Sequence, residues 1–510
     1  MRQQRIDIDL TLAILERFNA GRYDHVRPLT ASGIPTVDGQ AVVDRTAAAQ
    51  LSLPLDSAAA QLERLLPGVP VRDLATVRGS ECSFSASQLT RLGRRLLPRL
   101  SYGVLNGGSA TSYADEKKNR GLSDRLFRLL QDDFETLAEL SRGRAKGLTP
   151  AYINGNGTPG ASFLELKMRS NLIHALHYQR AFGSDAGGLI PLFPMFQMTS
   201  VYNSDEVASA YDQYRSSPML QDLIEATGID ITRVMTGVQP LLAAYTHSAE
   251  GRPRRVFDRA WGKPHTALPL PGGHGQNFAV LKQVYAELYR IGKRFVYLGN
   301  VDNLGFTVDA ISLAWLALSG KQAAFDFSFR TSVDIKGGIL VRDQRGALAC
   351  ADIGPAISSD EVFRAEADGE RILFNCATGL FRLDYLVEQI DRIIEELPMR
   401  FSDQDKDAGR YSQAEQVTWE IIGLLDDFIV FGVDKYDRFL AAKLLLETLM
   451  TSGRRLDLPD YPTGSEPSTD LRGTARRLHA GLERALTSTY GLRRHNGRWF
   501  PLAPSEIETP

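Results

Sequence analysis

The sequence is poor in several features that would each mark a particular class of protein. Its 510 residues include only three cysteines, Cys82, Cys350 and Cys376, which are too few and too scattered for a disulfide framework or a zinc site. The formal net charge of −2 gives no argument for nucleic acid or an anionic membrane as a partner. No run approaches the roughly 18 apolar residues of a membrane span, and the first ten residues lack the apolar core of a secretory signal. These absences predict a cytoplasmic protein that binds neither nucleic acid nor membrane.

The spacing of apolar residues divides the chain into three regions. Residues 1–98 show helical spacing and predict a helical support. From 99 to 400, strand-like runs that end in small or polar residues alternate with helical stretches, which is typical of an α/β domain. Residues 401–510 are predicted to be mainly helical with an irregular tail. The candidate helices there are Ala414–Leu425, Tyr436–Thr451 and Leu471–Leu486.

Several apolar runs in the middle region predict the strands of a sheet. In such sheets ligands collect beyond the carboxyl ends of the strands, so the residues that follow each run are the candidate site. A highly charged stretch, residues 114–145, interrupts this region and is interpreted as an insertion, either a solvated decoration or a mobile lid. The candidate strands are Ser101–Leu105, Leu189–Gln197, Arg294–Leu298, Ala324–Phe329, Ile335–Val341 and Ile372–Phe374.

Two glycine-rich stretches favour phosphate binding. Leu105-Asn106-Gly107-Gly108 follows the first predicted strand of the sheet, where backbone N–H groups can approach a phosphate closely. Gly272-Gly273-His274-Gly275 opens a predicted helix and places an imidazole among glycines. An ordinary turn is the alternative interpretation of both stretches.

Three polar residues beside predicted strands are further candidates. Asp302 follows a strand at the position where a Mg²⁺ bridging phosphates would need an oxygen ligand, although it could instead cap a turn or helix. Gln239 ends another apolar segment, where its amide could bind a base edge or simply lie in a turn. Lys146 precedes a short strand and could equally be a solvated surface charge.

Taken together and in this order, the motifs resemble the UTP–glucose-1-phosphate uridylyltransferase (UDP-glucose pyrophosphorylase) family. The likeness spans roughly residues 99–445, and its most specific piece is the hexapeptide that begins at Asn300. The matching stretches are Leu105-Asn-Gly-Gly, Lys146, Pro191-Leu-Phe-Pro-Met, Gly273-His-Gly, Asn300-Val-Asp-Asn-Leu-Gly, Val308-Asp, Lys336-Gly-Gly, Phe374-Asn and Arg438-Phe-Leu-Ala-Ala-Lys.

The resemblance implies an α/β fold, with a GT-A-like Rossmann-type nucleotidyltransferase domain between a helical N-terminal and a mainly helical C-terminal region. It also implies the reaction of UTP with glucose 1-phosphate to give UDP-glucose and pyrophosphate, with Mg²⁺ as cofactor. Such a reaction needs positioning and charge neutralisation but no protein nucleophile.

The family's functional residues carry over to this chain position by position. The resemblance assigns catalytic roles to Lys146, Lys443 and Asp302, and it makes Asp302 the metal ligand. The implied nucleotide-binding residues are Leu105, Asn106, Gly107, Gly108, Gln239 and Gly273. The implied sugar-phosphate-binding residues are His274, Asn300, Lys336 and Asn375.

The chain also departs from the family pattern. Ser109-Ala110 stands where the family has Leu-Gly, Gln276 stands where it has Asp, and the tail lacks the apolar repeats of the family's C-terminal β-helix. Three alternatives therefore stay open: a pyrophosphorylase for another sugar 1-phosphate, such as N-acetylglucosamine 1-phosphate or a broad range of sugars, a GT-A glycosyltransferase, or a sugar-nucleotide sensor without turnover. The sequence leaves the oligomeric state open.

Overall fold

The structure, a computed structural model, describes residues 1–26, 29–47, 49–183, 191–331, 334, 337–464 and 470–508. The strands in chain order are β1 Val42–Asp44, β2 Gln50–Pro54, β3 Thr76–Arg78, β4 Glu81–Ser85, β5 Leu100–Leu105, β6 Met195–Ser200, β7 Met235–Gln239, β8 Leu241–Ala243, β9 Tyr245–Thr246, β10 Pro269–Pro271, β11 Phe295–Asn300, β12 Ala323–Phe329, β13 Gly338–Arg342, β14 Leu348–Asp352, β15 Leu373–Arg382, β16 Arg400–Lys406, β17 Gly409–Glu415, β18 Phe428–Val433, β19 Leu492–His495 and β20 Arg498–Pro501.

Helices flank these strands along the whole chain. In chain order they are α1 Ile8–Asn19, α2 Leu55–Leu65, α3 Ala86–Arg95, α4 Glu116–Leu122, α5 Asp124–Leu129, α6 Gln131–Ser141, α7 Phe163–Phe182, α8 Ser204–Tyr214, α9 Gln221–Thr227, α10 Asn277–Val280, α11 Lys282–Arg290, α12 Ala310–Ser319, α13 Ser359–Ala367, α14 Leu383–Glu396, α15 Lys435–Arg438, α16 Leu445–Thr451 and α17 Leu471–Arg484. In the described ranges no helix has the length and apolar character to cross a bilayer.

A mixed sheet of ten described strands lies at the centre of the fold. Its main path runs β1-β18-β12-β15-β11-β5-β6-β7, and the β13–β14 hairpin pairs beside the start of β15. Along that path β15 is antiparallel to both its neighbours, while the other neighbours are parallel. The carboxyl ends of β5, β6, β7 and β11 therefore meet at one edge, and β15 begins at that same edge.

Apolar residues alternate between the two faces of the sheet because successive side chains of a strand point to opposite sides. On β11, Phe295 and Tyr297 pack into one core, whereas Val296 and Leu298 pack into the other. The first core also contains residues of α2, α3, α7 and α12, and the second contains residues of α10, α11 and α14. Helices thus cover both faces, and polar groups remain at the carboxyl edge.

The α/β prediction with a central sheet is confirmed, and three of the six predicted strands lie within two residues of β5, β11 and β12. The predicted strand Ile335–Val341 corresponds to β13, which begins at Gly338; residues 335 and 336 are outside the described ranges. The predicted strand Leu189–Gln197 is placed too early, because β6 begins at Met195; residues 184–190 are outside the described ranges. The predicted strand Ile372–Phe374 is much too short, since β15 continues to Arg382.

The expectation of a wholly helical N-terminal region is wrong. Strand β1 joins the edge of the central sheet beside β18, and β2, β3 and β4 form a separate antiparallel sheet. The amphipathic helices α2 and α3 are present as expected, with Leu62 and Leu92 in the main core. The domain boundary at residue 98 stays a prediction.

The mainly helical C-terminal region is likewise corrected. The stretch Ala414–Leu425 is not the predicted helix. It contains the last two residues of strand β17 and a 3₁₀ turn over Thr418–Leu424. Strand β18 enters the central sheet between β1 and β12, so the sheet crosses the boundary at residue 400, which stays a prediction. The tail contains the hairpin of β19 and β20 rather than irregular chain.

The charged stretch 114–145 forms helices α4, α5 and α6, of which α5 and α6 contribute to a separate hydrophobic core. Leu126, Phe127 and Phe134 share this core with Leu446 and Leu449 of α16. The interpretation as a solvated decoration is therefore wrong for its inner face, because that face is buried against the segment that carries Lys443.

Candidate functional site

The loop after β5 is anchored by the side chain and backbone of Asn106. The Asn106 N–H donates to the Met198 carbonyl at the end of β6 (2.8 Å), and its Oδ1 accepts from the Gly147 N–H (3.0 Å). Leu105 pairs directly with Asn300 on β11. The loop is thereby fixed between β6, β11 and the turn that carries Lys146.

The predicted nucleotide-binding residues Gly107, Gln239 and Gly273 lie together beside Gln276. The Gln239 amide Nε2 donates to the Gly273 carbonyl (2.6 Å) and to Gln276 Oε1 (3.0 Å). A Cβ on Gly107 would lie 2.8 Å from Gln239 Oε1, so a larger residue there would shift the hydrogen-bonded Gln239 amide. Gly273 has φ +80°, and its Cβ would lie 2.3 Å from the Gln416 carbonyl. The two glycine-rich stretches form one packed cluster.

The departures from the family pattern have local physical reasons. Ala110 is fully buried in the same core as residues of α5 and α6, so its methyl group packs within the inserted segment. Ser109 bridges to Ala145, and the Gly108 carbonyl accepts from the Lys146 N–H (3.1 Å). The neutral amide of Gln276 serves as the partner of Gln239.

Lys146 is buried, and its ammonium group has three neighbours. Its Nζ donates to the Ala442 carbonyl (2.9 Å), lies 3.9 Å from Asp302 Oδ2, and sits 3.2 Å from the centre of the Tyr113 ring. Burial lowers the pKa of Lys146 to about 8, while the charges of Asp302 and Glu447 oppose that shift. The solvated-surface interpretation of Lys146 is therefore wrong.

Asp302 follows β11 at the carboxyl edge of the sheet. It is partly exposed, lines a cavity, and faces Lys146. The alternative role of capping a turn or helix has no support among the described contacts, because the carboxylate that caps α12 is Asp309. The lysine and the carboxylate join the glycine cluster to the cavity.

The cavity has a volume of about 580 Å³ and lies between the sheet edge, the β13–β14 hairpin and strands β16 and β17. It gathers five of the predicted residues: His274, Asn300, Asp302, Asn375 and Lys443. The predicted residue Lys336 lies outside the described residues.

His274 is held as a neutral ring. Its Nδ1 accepts from the Thr418 backbone N–H (3.1 Å), which places the proton of the neutral ring on Nε2. Burial lowers the pKa of His274 to about 4. The ring therefore offers an uncharged N–H donor on the wall of the cavity.

Lys443 reaches the cavity because the predicted helix Tyr436–Thr451 is broken. The chain leaves helical geometry at Phe439 and resumes it at Leu445, and the intervening segment pairs with the loop after β11 through Ala441 and Asn303. The placement of Lys443 on one continuous helix with Arg438 is thus wrong, and the break brings its exposed side chain to the cavity beside Asp302.

Two buried cations hold that loop in place. The Arg438 guanidinium donates to Asp326 (2.7 Å) and to the Tyr297 hydroxyl (2.8 Å). The fully buried Lys167 ammonium donates to the carbonyls of Asn303 and Phe306. Arg438 also donates to the Thr307 carbonyl (3.2 Å). Both cations are therefore paired with protein groups, and they position the loop after β11 rather than bind a ligand.

The sequence reasoning missed several residues of the site. Arg400, Glu420 and Trp419 line the cavity, and Tyr113 lies against Lys146. Arg400 is the last residue of the region predicted as the catalytic domain, Trp419 and Glu420 follow that region, and Tyr113 precedes the charged insertion. Their sequence surroundings carry no motif.

Comparison with known proteins shows which family part of the chain is similar to. Residues 260–465 match the family model described as UTP--glucose-1-phosphate uridylyltransferase. That segment is similar to this family. The uridylyltransferase of Encephalitozoon cuniculi is 32% identical over 91 residues, and that of Solanum tuberosum is 26% identical over 209 residues. The family resemblance inferred from the sequence is confirmed.

The coverage of these uridylyltransferase relatives is partial. The alignments span 18% and 39% of this chain, and 18% and 43% of the two relatives, so the chain spans less than half of their length. The solved UDP-glucose pyrophosphorylase of Leishmania major superposes with a TM-score of 0.52 at 17% identity, covering 88% of this chain and 77% of that one. This structural likeness shows the shared fold.

Proposed function

We propose that this chain is a uridylyltransferase that makes UDP-glucose and pyrophosphate from UTP and glucose 1-phosphate. The observation that carries the proposal is the contact between Lys146 and Asp302 at 3.9 Å. It lies where the glycine cluster meets the cavity, so a nucleotide and a sugar phosphate bound on either side would meet at these two charges. The family match over residues 260–465 supports the same reaction.

The glycine cluster would hold the nucleotide. The Gln239 amide nitrogen is used by Gly273 and Gln276, which leaves Oε1 as the atom that accepts a hydrogen bond from the uracil N3–H. Gly107 and Gly108, together with Leu105 and Asn106 before them, would let the phosphate chain approach the backbone. Lys146 would neutralise charge on those phosphates.

The cavity would hold the sugar phosphate. The neutral His274 ring supplies an N–H donor, and the exposed Lys443 ammonium supplies a positive charge for the phosphate. Asn300 and Asn375 lie on the same wall and offer amide groups to the sugar. Lys336 stays a predicted ligand of the sugar phosphate.

The chemistry follows from this placement. A phosphate oxygen of glucose 1-phosphate attacks the α-phosphorus of UTP in line, the new P–O bond forms, and the bond to the β-phosphate oxygen breaks as pyrophosphate leaves. The described residues contribute by orienting the two substrates and by opposing the negative charge with Lys146 and Lys443.

A magnesium ion fits the residues present. Mg²⁺ is held by one or two carboxylates together with substrate phosphates, and Asp302 is a partly exposed carboxylate at the cavity. Among the described residues no group of three or more acidic, histidine or cysteine side chains is arranged to hold a metal ion by itself, so Asp302 with the substrate phosphates is the candidate site. When bound, the ion would polarise phosphate oxygens.

Two finer assignments belong to the same proposal. We infer a GT-A-like arrangement of the sheet, supported by the single antiparallel strand β15 among the parallel strands on either side of it. A cytoplasmic location is supported by the three free cysteines, which are typical of a reducing compartment.

The test is Mg²⁺-dependent pyrophosphate release from UTP with a panel of sugar 1-phosphates. Glucose 1-phosphate is expected to give the highest rate, with galactose 1-phosphate and N-acetylglucosamine 1-phosphate slower. A higher rate with N-acetylglucosamine 1-phosphate would favour the other pyrophosphorylase activity. Binding of UDP-glucose without any pyrophosphate release would show a sensor and contradict the proposal. Transfer of the sugar from UDP-glucose to an acceptor would instead show a glycosyltransferase.

A further inference from the structure

One wall of the cavity is built by residues to which neither the family resemblance nor the reaction gives a role. Arg400 on β16 and Glu415 on β17 are directly opposite each other in the antiparallel register, and both line the cavity. Glu420, in the 3₁₀ turn that follows β17, lines it as well. This wall also includes Asp352 of β14, and it adjoins His274, whose ring lies 6.1 Å from that of Trp419.

Arg400 is held by one end of its guanidinium group. Its Nε donates to Glu420 Oε1 at 2.5 Å, and Glu420 is the more buried partner, with side-chain exposures of 13% against 35%. Neither terminal nitrogen of Arg400 has a hydrogen-bond partner among the described residues. The carboxylate therefore fixes the arginine while the planar fork of donors stays available.

Glu420, which holds this arginine, and the adjacent Trp419 also have unpaired groups. Glu420 Oε2 and the indole Nε1 of Trp419 are buried and have no hydrogen-bond partner within the described residues. Buried polar groups normally find partners, because leaving one unpaired costs free energy. This wall therefore contains unpaired donors, the Arg400 terminal nitrogens and Trp419 Nε1, together with an unpaired acceptor, Glu420 Oε2. A sugar hydroxyl, which donates and accepts at once, matches that combination.

We propose that Arg400, oriented by Glu420, is a specificity-determining residue that hydrogen-bonds a sugar hydroxyl away from the 1-phosphate. This inference rests on the proposed function, since it names a residue by which the same cavity recognises the hydroxyl groups of its sugar. The terminal nitrogens of Arg400 donate hydrogen bonds to the hydroxyl oxygen, and a neighbouring carboxylate accepts a hydrogen bond from the hydroxyl group.

The charge of the wall sets the class of sugar. Glu415, Glu420 and Asp352 outnumber the single positive charge of Arg400. A carboxylate on the sugar would meet this excess of negative charge, whereas neutral hydroxyls would not. The site therefore favours neutral hexose 1-phosphates over uronic acid 1-phosphates.

The test combines substitutions in the protein with deletions in the substrate. The kcat/KM of wild type and of Arg400→Gln is measured with glucose 1-phosphate and with its 2-, 3-, 4- and 6-deoxy analogues. Loss of a hydrogen bond to a charged group is expected to cost wild type about 10-fold or more for one analogue. In Arg400→Gln that penalty is expected to fall below about threefold, while the penalties for the other positions and the KM for UTP stay unchanged.

Two further variants sharpen the result. Arg410→Gln removes an exposed arginine from the same hairpin, paired with Asp405 at 3.8 Å, and should keep the wild-type pattern. Glu420→Gln is expected to weaken the discrimination against glucuronic acid 1-phosphate, because it removes one negative charge from the wall.

An Arg400→Gln protein that keeps the wild-type penalty for every deoxy sugar would overturn the inference and leave Arg400 a structural residue. If wild type shows no turnover, the proposed function fails, and the same set of sugars is then titrated by calorimetry. A deoxy penalty in binding that disappears in Arg400→Gln supports the inference even then, and its persistence contradicts it.

Discussion

The two halves of the candidate site differ in how their polar groups are paired. In the glycine cluster, the Gln239 amide bonds to Gly273 and to Gln276, and its Oε1 would lie 2.8 Å from a Cβ on Gly107. On the far wall of the cavity, the Arg400 fork and Glu420 Oε2 have no partner among the described residues. In the first half the Gln239 amide nitrogen is already paired, and the buried Asn106 Nδ2 has no partner among the described residues. In the second half, the arginine fork and a carboxylate oxygen both remain available to a ligand.

This difference suggests how the two substrates are recognised. A glutamine amide fixed by two hydrogen bonds presents its remaining oxygen to a nucleotide in one orientation. A wall with unused donors and acceptors gains most when a polyhydroxylated ligand binds. Substitutions in the glycine cluster should therefore change stability, while substitutions on the cavity wall should change specificity.

The largest effect is expected where the two halves meet. Asp302→Ala should lower kcat by about a thousandfold or more, because a charged group at the reacting phosphates is lost in a low-dielectric site. Pyrophosphate release measures the rate, and circular dichroism should show an unchanged fold. Asp302→Asn is the matched control for size and should be similarly inactive. A variant near the wild-type rate would show that the contact between Lys146 and Asp302 has no catalytic role.

A second effect concerns the neutral His274. Its pKa, lowered to about 4, is below the ordinary value of 6.5, so between these pH values the unfolded chain binds a proton that the folded chain does not. The contribution to stability is present above about pH 6.5 and is lost as pH falls towards 4. Urea unfolding should show that wild type loses roughly 2–3 kcal/mol more than His274→Gln between pH 7 and pH 4. Equal losses in the two proteins would show that His274 is not held neutral.

A smaller effect is expected at Tyr113, whose ring lies 3.2 Å from the Lys146 ammonium. Removing the ring in Tyr113→Leu should lower kcat about 10-fold, since a desolvated cation–π contact contributes about 1–2 kcal/mol. Tyr113→Phe keeps the ring, loses only the hydroxyl contact to Thr448, and should stay within about threefold of wild type. The same rate for the Leu and Phe variants would exclude a role for the ring.

The smallest effect separates the two adjacent glycines of the first loop. Gly107→Ala should destabilise the free protein by about 1–3 kcal/mol, because its Cβ would lie 2.8 Å from Gln239 Oε1. Gly108→Ala is the control, since no atom lies within 4 Å of its Cβ position. Denaturant unfolding without ligand measures both. Equal stabilities would show that the glycine cluster is not tightly packed.

Local sequence patterns predicted the sheet and its edge well. Apolar runs such as that ending at Leu105 form strands wherever both faces are buried, and the glycines that follow them mark the loops. The hexapeptide from Asn300 placed Asp302 correctly because the end of a parallel strand has a fixed position in the sheet. The turn Asn496-Gly497 between β19 and β20 also carried a hairpin signal, with both residues at positive φ, and was overlooked.

Other features depend on contacts between distant parts of the chain. The helix breaks after Arg438 because the Leu440 N–H donates to Asn303 Oδ1 (3.0 Å) instead of to a helical carbonyl. As a result, Lys443 lines the cavity. The core between α16 and the inserted helices could not be predicted, because the many charged residues of that stretch indicate solvent exposure. Arg400 and Glu420 are 20 positions apart, and only the turn after β17 brings them together.

The most direct test of the account is a ³¹P NMR measurement of UTP, glucose 1-phosphate and Mg²⁺ mixed with the full chain. The account predicts that UDP-glucose and pyrophosphate appear at equal rates, and that UTP alone releases no pyrophosphate. Pyrophosphate that forms without glucose 1-phosphate, or substrates that stay unchanged while UDP-glucose binds, would contradict it.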